Sequence, residues 1–228
     1  MAFVKRVQAD GPDVPTLATS PGWLDRLRAV GSATIRVVAK IGLSFWIALL
    51  VGIGTSWYMV EAGSWLTTRR DGPWVTWTQA ATPDADPYTR ARFARDGSLP
   101  LSANIANTYE ARTDDDGQRL HSSCEYVLDG NGLASGWWSL AVFDDRGRLI
   151  PNPAERYAYN SATIARGADG RFTVALARDA RPGNWLPTDG AGRMTLVLTW
   201  LNSSTDGAGS VPATNAPRLP TVRRVGCR

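Results

Sequence analysis

Residues 41–60 form an unbroken run of twenty side chains without a single charge, IGLSFWIALLVGIGTSWYMV. Nothing else in the chain restricts its fold as much. A helix over such a run is about 30 Å long, the thickness of a bilayer's hydrocarbon core. An ordinary soluble domain rarely holds an uncharged helix of that length, so one transmembrane helix is expected. Lys40 closes the run on one side and Glu61 on the other. Trp57, Tyr58 and Trp65 lie around the outer end, where rings with one polar edge favour the membrane interface.

The flanking charges orient this span. Lys5, Arg6, Arg26, Arg28, Arg36 and Lys40 precede it, whereas Arg69 and Arg70 are the basic residues of the first twenty positions after it. Positive charge stays inside, which places the N-terminus in the cytoplasm. Val60-Glu61-Ala62 is an acceptable cleavage site, but the preceding region and the apolar run are both too long for a signal peptide. An uncleaved signal anchor is expected. Ser44, Ala48, Gly52 and Ser56 recur at i, i+4 and so share one face of the helix. Small residues in a stripe let two helix backbones approach closely in lipid, which predicts a second membrane protein as partner. Residues 23–40 carry apolar and basic residues at helical spacing. They are expected either as an amphipathic helix on the inner membrane surface or as a plain continuation of the span. The resulting division is a flexible cytoplasmic tail (1–22), an amphipathic pre-membrane helix (23–40), the transmembrane helix (41–60), a linker (61–85) and a β domain (86–228).

Beyond residue 40 the chain has nineteen basic and eighteen acidic side chains. It therefore lacks the basic stripe that nucleic-acid binding requires. Turn sequences recur through this region: Asp114-Asp115-Asp116-Gly117, Asp129-Gly130-Asn131-Gly132, Asp144-Asp145-Arg146-Gly147, Ala168-Asp169-Gly170 and Asp189-Gly190-Ala191-Gly192. Asp and Asn bond their own backbone there, and Gly supplies positive φ. Strand-like runs at 124–128, 137–143, 171–176 and 194–200 lie between them. The pattern predicts a mainly β, antiparallel, jelly-roll-like sandwich preceded by the single N-terminal transmembrane helix. A short helix is expected at 86–96. Cys124 and Cys227 are the two cysteines. In an oxidising compartment a disulfide is the natural pairing, with two buried free thiols as the alternative.

The order of motifs resembles a known family. Trp138-Ser139-Leu140 with Phe143-Asp144, Asn152-Pro153 with Arg156-Tyr157, Asn160-Ser161, Asp169-Gly170, and above all Pro182-Gly183-Asn184-Trp185-Leu186-Pro187 resemble the bacterial domain of unknown function 1214. Asp86-Pro87-Tyr88, Leu99-Pro100-Leu101 and the segment from Leu219-Pro220 to Cys227 are similar to its short membrane-anchored branch. Thr199-Trp200-Leu201-Asn202 lacks the expected Arg-Leu-Tyr, and Ala103-Asn104-Ile105-Ala106-Asn107 stands in place of a Gly-rich stretch. The resemblance implies a jelly-roll-like sandwich in a bacterial envelope and no settled activity. It also implies a partner carrying the domain of unknown function 1254.

Catalytic groups are scarce. His121 is the single histidine, flanked by Ser122 and Ser123, and sequence neighbours do not make a nucleophile with its base. One His and two distant Cys do not form a zinc site, the acidic turns lack calcium-loop spacing, and no phosphate-binding glycine loop is present. No cofactor or metal is expected. The strongest surface candidate is Arg156, Tyr157, Asn160, Ser161, Asn184 and Trp185, which together offer planar hydrogen bonds and stacking to a sugar or carboxylate. The leading expectation is a non-catalytic interaction module, an accessory subunit of an inner-membrane or envelope complex with its β domain in the periplasm. The competing expectation is a periplasmic small-ligand or carbohydrate binder, or an enzyme, that uses the 156–185 region.

Overall fold

Strict alternation builds the β domain. In Met-Thr-Leu-Val-Leu-Thr-Trp-Leu every second side chain is apolar, and Met194, Leu196, Leu198 and Trp200 are buried on one face of the strand. The period of two sends alternate residues to opposite sides of a sheet. The computed structural model describes residues 22–103, 105–131, 133, 136–201 and 218–228, with the backbone alone for 23–33. The expected tail therefore lies, up to residue 21, outside the described residues. So do Asn104, Gly132 and Asn202, and so do the side chains that would make 23–33 amphipathic. The chain divides into two units, Met1–Gly54 and Thr55–Arg228.

Helix α1 (Trp23–Ala62) runs without a break through both the expected pre-membrane segment and the expected span. Within Thr34–Ala62 an eighteen-residue window reaches a mean hydropathy of 2.1, and no side chain of the stretch is buried. Such a helix is long and apolar enough to cross a membrane, or to serve as a signal sequence. Ser44, Ala48, Gly52 and Ser56 are all exposed along it.

In the second unit the strands are β1 (Thr68–Asp71), β2 (Trp74–Trp77), β3 (Ala106–Ala111), β4 (Cys124–Gly130), β5 (Trp138–Asp144), β6 (Ala158–Asn160), β7 (Phe172–Ala177), β8 (Asn184–Pro187), β9 (Met194–Leu201) and β10 (Thr221–Cys227). Helix α2 (Pro87–Asp96) precedes β3. One sheet has the order β1-β2-β3-β9-β5-β6 and the other β10-β4-β7-β8. Trp138, Leu140, Leu196 and Leu198 of the first and Tyr126, Leu128, Val174, Leu176 and Val222 of the second join one apolar cluster. Each fully buried side chain of this kind contributes about 1.5–3 kcal/mol. Trp138 stacks on Phe172 across the layers, with ring centroids 5.1 Å apart.

Two expectations need correcting. The sheets are not wholly antiparallel, because β7 and β8 pair in parallel. The chain doubles back through residues 178–183, and side chains hold both ends of the short pair. Asn184 Nδ2 donates to the Thr173 carbonyl at 3.0 Å, and Trp185 Nε1 donates to that of Ala177 at 2.9 Å. Residues 61–85 are not a mere linker either, since β1 and β2 complete the larger sheet. The cause is Trp74, which is fully buried and donates Nε1 to the Pro220 carbonyl at 2.7 Å. That bond joins the start of the domain to the residue before β10.

The short helix is as expected and is capped at both ends. Asp86 accepts from the Tyr88 and Thr89 N–H groups at 2.9 and 3.1 Å, Pro87 opens the first turn, and Gly97 ends the helix at φ 63°. Glycine takes that left-handed conformation at little cost. Cys124 and Cys227 are paired in a disulfide between directly opposed residues of β4 and β10.

Candidate functional site

The residues singled out in the sequence are brought together only in part. Trp185 lies beneath Arg156, whose guanidinium carbon is 6.0 Å from the indole and 5.9 Å from the ring of Tyr159. The Tyr159 hydroxyl accepts the Trp185 N–H at 3.0 Å, so ring and strand are fixed to each other. Asn184 is buried, and its polar atoms are occupied: Oδ1 accepts from Ala165 N at 2.8 Å, while Nδ2 donates to Ala165 O and Thr173 O. Asn160 closes its own turn by accepting from the Ala162 and Thr163 N–H groups at 2.9 Å each. Ser161 donates its N–H to Trp138 O at 2.9 Å. Tyr157 is about two-thirds shielded, and Arg156 is exposed. His121 uses Nδ1 to accept the Ser123 N–H at 3.1 Å. Among the described residues no group of three or more His, Cys, Asp or Glu is placed to hold a metal ion.

A second feature was not visible in the sequence. An open cleft of about 810 Å³ lies on the outer face of the larger sheet. Its floor is Glu110, Val197, Thr195 and Phe143, the outward-facing residues of β3, β9 and β5 in register. One wall is α2 with Glu61, and the other is the turn after β5. Most of the charged groups in the walls are paired. Arg92 bonds Asp96 at 2.8 Å and approaches Glu61 at 3.6 Å, Arg95 also bonds Glu61, Arg112 meets Glu110 at 3.1 Å, and Arg193 faces Asp145 at 3.9 Å. The Arg148 main-chain N–H, together with its guanidinium, holds the Asp144 carboxyl below the usual carboxylate range. The cleft residues are scattered from position 61 to position 197. Only the strand register gathers them, so no local motif pointed to them.

One stretch of the chain, less than half of it, matches a family model. Residues 106–205 match the family described as protein of unknown function (DUF1214). That match supports the family expected from the motifs. No curated protein matches the chain. Among solved structures it is similar to the VPA0106 protein from Vibrio parahaemolyticus, at 18% identity and a TM-score of 0.53. The likeness covers 77% of this chain and 43% of that one, so the chain spans less than half of that protein's length. An uncharacterised protein from Burkholderia cenocepacia is similar at 20% identity and a TM-score of 0.42, over 58% of this chain and 32% of the other. The likeness to the Vibrio protein is one of fold.

The motifs that carried the resemblance have physical roles in this chain. Asn152 of Asn-Pro accepts the Arg156 N–H at 3.0 Å and donates to Ile150 O and Arg156 O, which closes the loop before β6. Asp169 of Asp-Gly accepts from Arg171 N at 3.1 Å. Gly183 of Gly-Asn-Trp-Leu-Pro turns the chain at φ 80°, Asn184 bridges two segments, and Leu186 enters the core. The motifs singled out in the sequence are largely devices for closing loops of this chain.

Proposed function

We propose that this chain is a membrane-anchored periplasmic interaction module, a non-catalytic accessory subunit of an inner-membrane or envelope complex. The observation that carries the reading is α1, whose apolar stretch from Thr34 to Ala62 has no buried side chain. A water-soluble protein does not leave such a helix uncovered, whereas lipid solvates it. The Lys/Arg excess before the span supports a cytoplasmic N-terminus, and the disulfide is in keeping with an oxidising compartment. Retention of the helix is supported by its last turn. Glu61 pairs with Arg95 and Arg92, and the Gly63 N–H bonds the Met59 carbonyl at 3.1 Å. Cleavage after Ala62 would remove these partners. The finer assignments are the short membrane-anchored branch of DUF1214 and a jelly-roll-like sandwich, with a protein of the domain of unknown function 1254 as candidate neighbour.

The helix offers a partner its small-residue stripe. At Gly52 an added Cβ meets no atom within 4 Å, so a larger residue is tolerated by the chain itself. Gly52→Ile keeps the span apolar but forces an opposing backbone away. Full-length parent and variant, purified in mild detergent, are expected to insert equally, with the variant losing co-purifying membrane proteins. If the variant retains the same partners in the same amounts, α1 is an anchor only and the β domain makes the contacts.

A further inference from the structure

The arginines of the cleft outnumber what the local carboxylates neutralise. Arg92, Arg95, Arg112, Arg119, Arg146 and Arg193 line it, and Glu61, Asp96, Glu110, Asp144 and Asp145 face them. Asp144 is taken by Arg148, which lies outside the lining. Seven guanidiniums therefore share five carboxylates. The surplus resides in Arg119 and Arg146, whose side chains have no carboxylate partner among the described residues. Backbone geometry fixes where both arise. Arg119 stands opposite Thr113 in an antiparallel bridge, one residue before Leu120, which bonds Arg112 O and Met194 N. Arg146 sits in the turn closed by Asp144, whose carboxylate accepts the Arg146 and Arg148 N–H groups at 2.9 and 2.8 Å.

We propose that the cleft binds an oxyanion, the phosphate or carboxylate group of a small ligand, through Arg119 and Arg146. A guanidinium presents two parallel N–H donors in a plane, which matches either anion in bidentate fashion. Unneutralised cations in a cleft also concentrate anions there. The cleft volume, about 810 Å³, falls in the range of small-molecule sites. Its floor is mixed: half-buried Val197 and Phe143 offer apolar contact to the ligand's body beside Thr195. The five carboxylates exclude an extended polyanion, which would meet them along its length, and favour one charged head. This site is separate from the Arg156 and Trp185 region and does not depend on the anchoring role of α1.

Free anions and anionic lipid headgroups share this chemistry, and binding measurements separate them. Full-length protein in zwitterionic nanodiscs at low salt would be titrated calorimetrically with pyrophosphate, with citrate and with a short-chain phosphatidylglycerol. Saturable binding of at least one probe is expected, weakened by added salt and reduced about tenfold or more in Arg119→Ala/Arg146→Ala. Arg171→Ala, a change outside the cleft, should bind like the parent. Arg119→Lys/Arg146→Lys guards against misfolding of the double alanine variant, since it keeps the charge, loses the fork and should bind with intermediate strength. Binding of phosphatidylglycerol alone assigns the site to a lipid headgroup, whereas binding of pyrophosphate or citrate assigns it to a soluble anion. No saturable binding of any probe overturns the proposal, as does equal binding by the parent and both double variants.

Discussion

Gly130 shows how closely single positions are fitted. It stands opposite Phe172 in the β4–β7 pair, and a Cβ built on it would lie 2.3 Å from the ring. Phe172 has little room to yield, because it is buried and its ring is stacked on Trp138. Gly130→Ala is expected to cost about 1–3 kcal/mol by overpacking, read as a lower denaturation midpoint in urea; an unchanged midpoint would show that the ring moves aside. Asn184 acts by hydrogen bonding instead. Asn184→Ala leaves the Ala165 and Thr173 backbone groups without partners, at an expected cost of about 1–3 kcal/mol. Asp86 adds a pH dependence. Burial pushes its carboxyl up, but the Thr89 hydroxyl and the Thr89 and Tyr88 N–H groups outweigh burial, and the net shift is downward. A group held below its unfolded value stabilises the fold at neutral pH and loses that contribution as pH falls through its folded value. Asp86→Asn retains the cap while removing the titration. Stability measured from about pH 6 down to pH 3 should then fall less steeply than in the parent.

Among the elements, β10 depends most on a single covalent bond. It is an edge strand, paired on one side with β4, and the disulfide joins Cys227 to the directly opposed Cys124. Removal of a link closing about a hundred residues costs about 3–5 kcal/mol in the chain-entropy account. Cys227→Ser should therefore speed amide exchange at Arg223, which stands opposite Val127 of β4, well before the core strands exchange; full protection there would show that hydrogen bonding alone holds the strand. The long strands β4, β5, β7 and β9 were legible in the sequence, because one buried and one wet face impose a period of two. The edges were not. β6 has three residues and β8 four, too few to show a period, and β8 is placed by the side chains of Asn184 and Trp185. β1 is polar because it is an edge, and Trp74 alone signals that β2 belongs to the core. The site was legible only as motif. Asn160 and Asn184 were found, but their amides serve loop closure. The cleft arginines, spread from Arg92 to Arg193, meet only through a register that no local pattern encodes.

For the molecule as a whole, the charge bias before the apolar run of α1 predicts a direction of insertion for the proposed anchor. An alkaline phosphatase fused after Arg228 of the full chain should be active, and a reporter that works only in the cytoplasm should be silent. The reverse result would invert the topology. The order of strands in the smaller sheet has a further consequence, for biogenesis. β4 has two neighbours, and both are encoded after it. β7 begins at Phe172 and β10 at Thr221, roughly fifty and a hundred residues downstream. While the chain emerges, β4 presents unpaired N–H and C=O groups, the usual template for a wrong strand. Cys124 sits at the first residue of that strand and waits for Cys227. Oxidation of this pair thus reports on assembly: a chain that has gained its bond has also brought β10 to β4, and one that still offers a thiol remains open to chaperones and proteases.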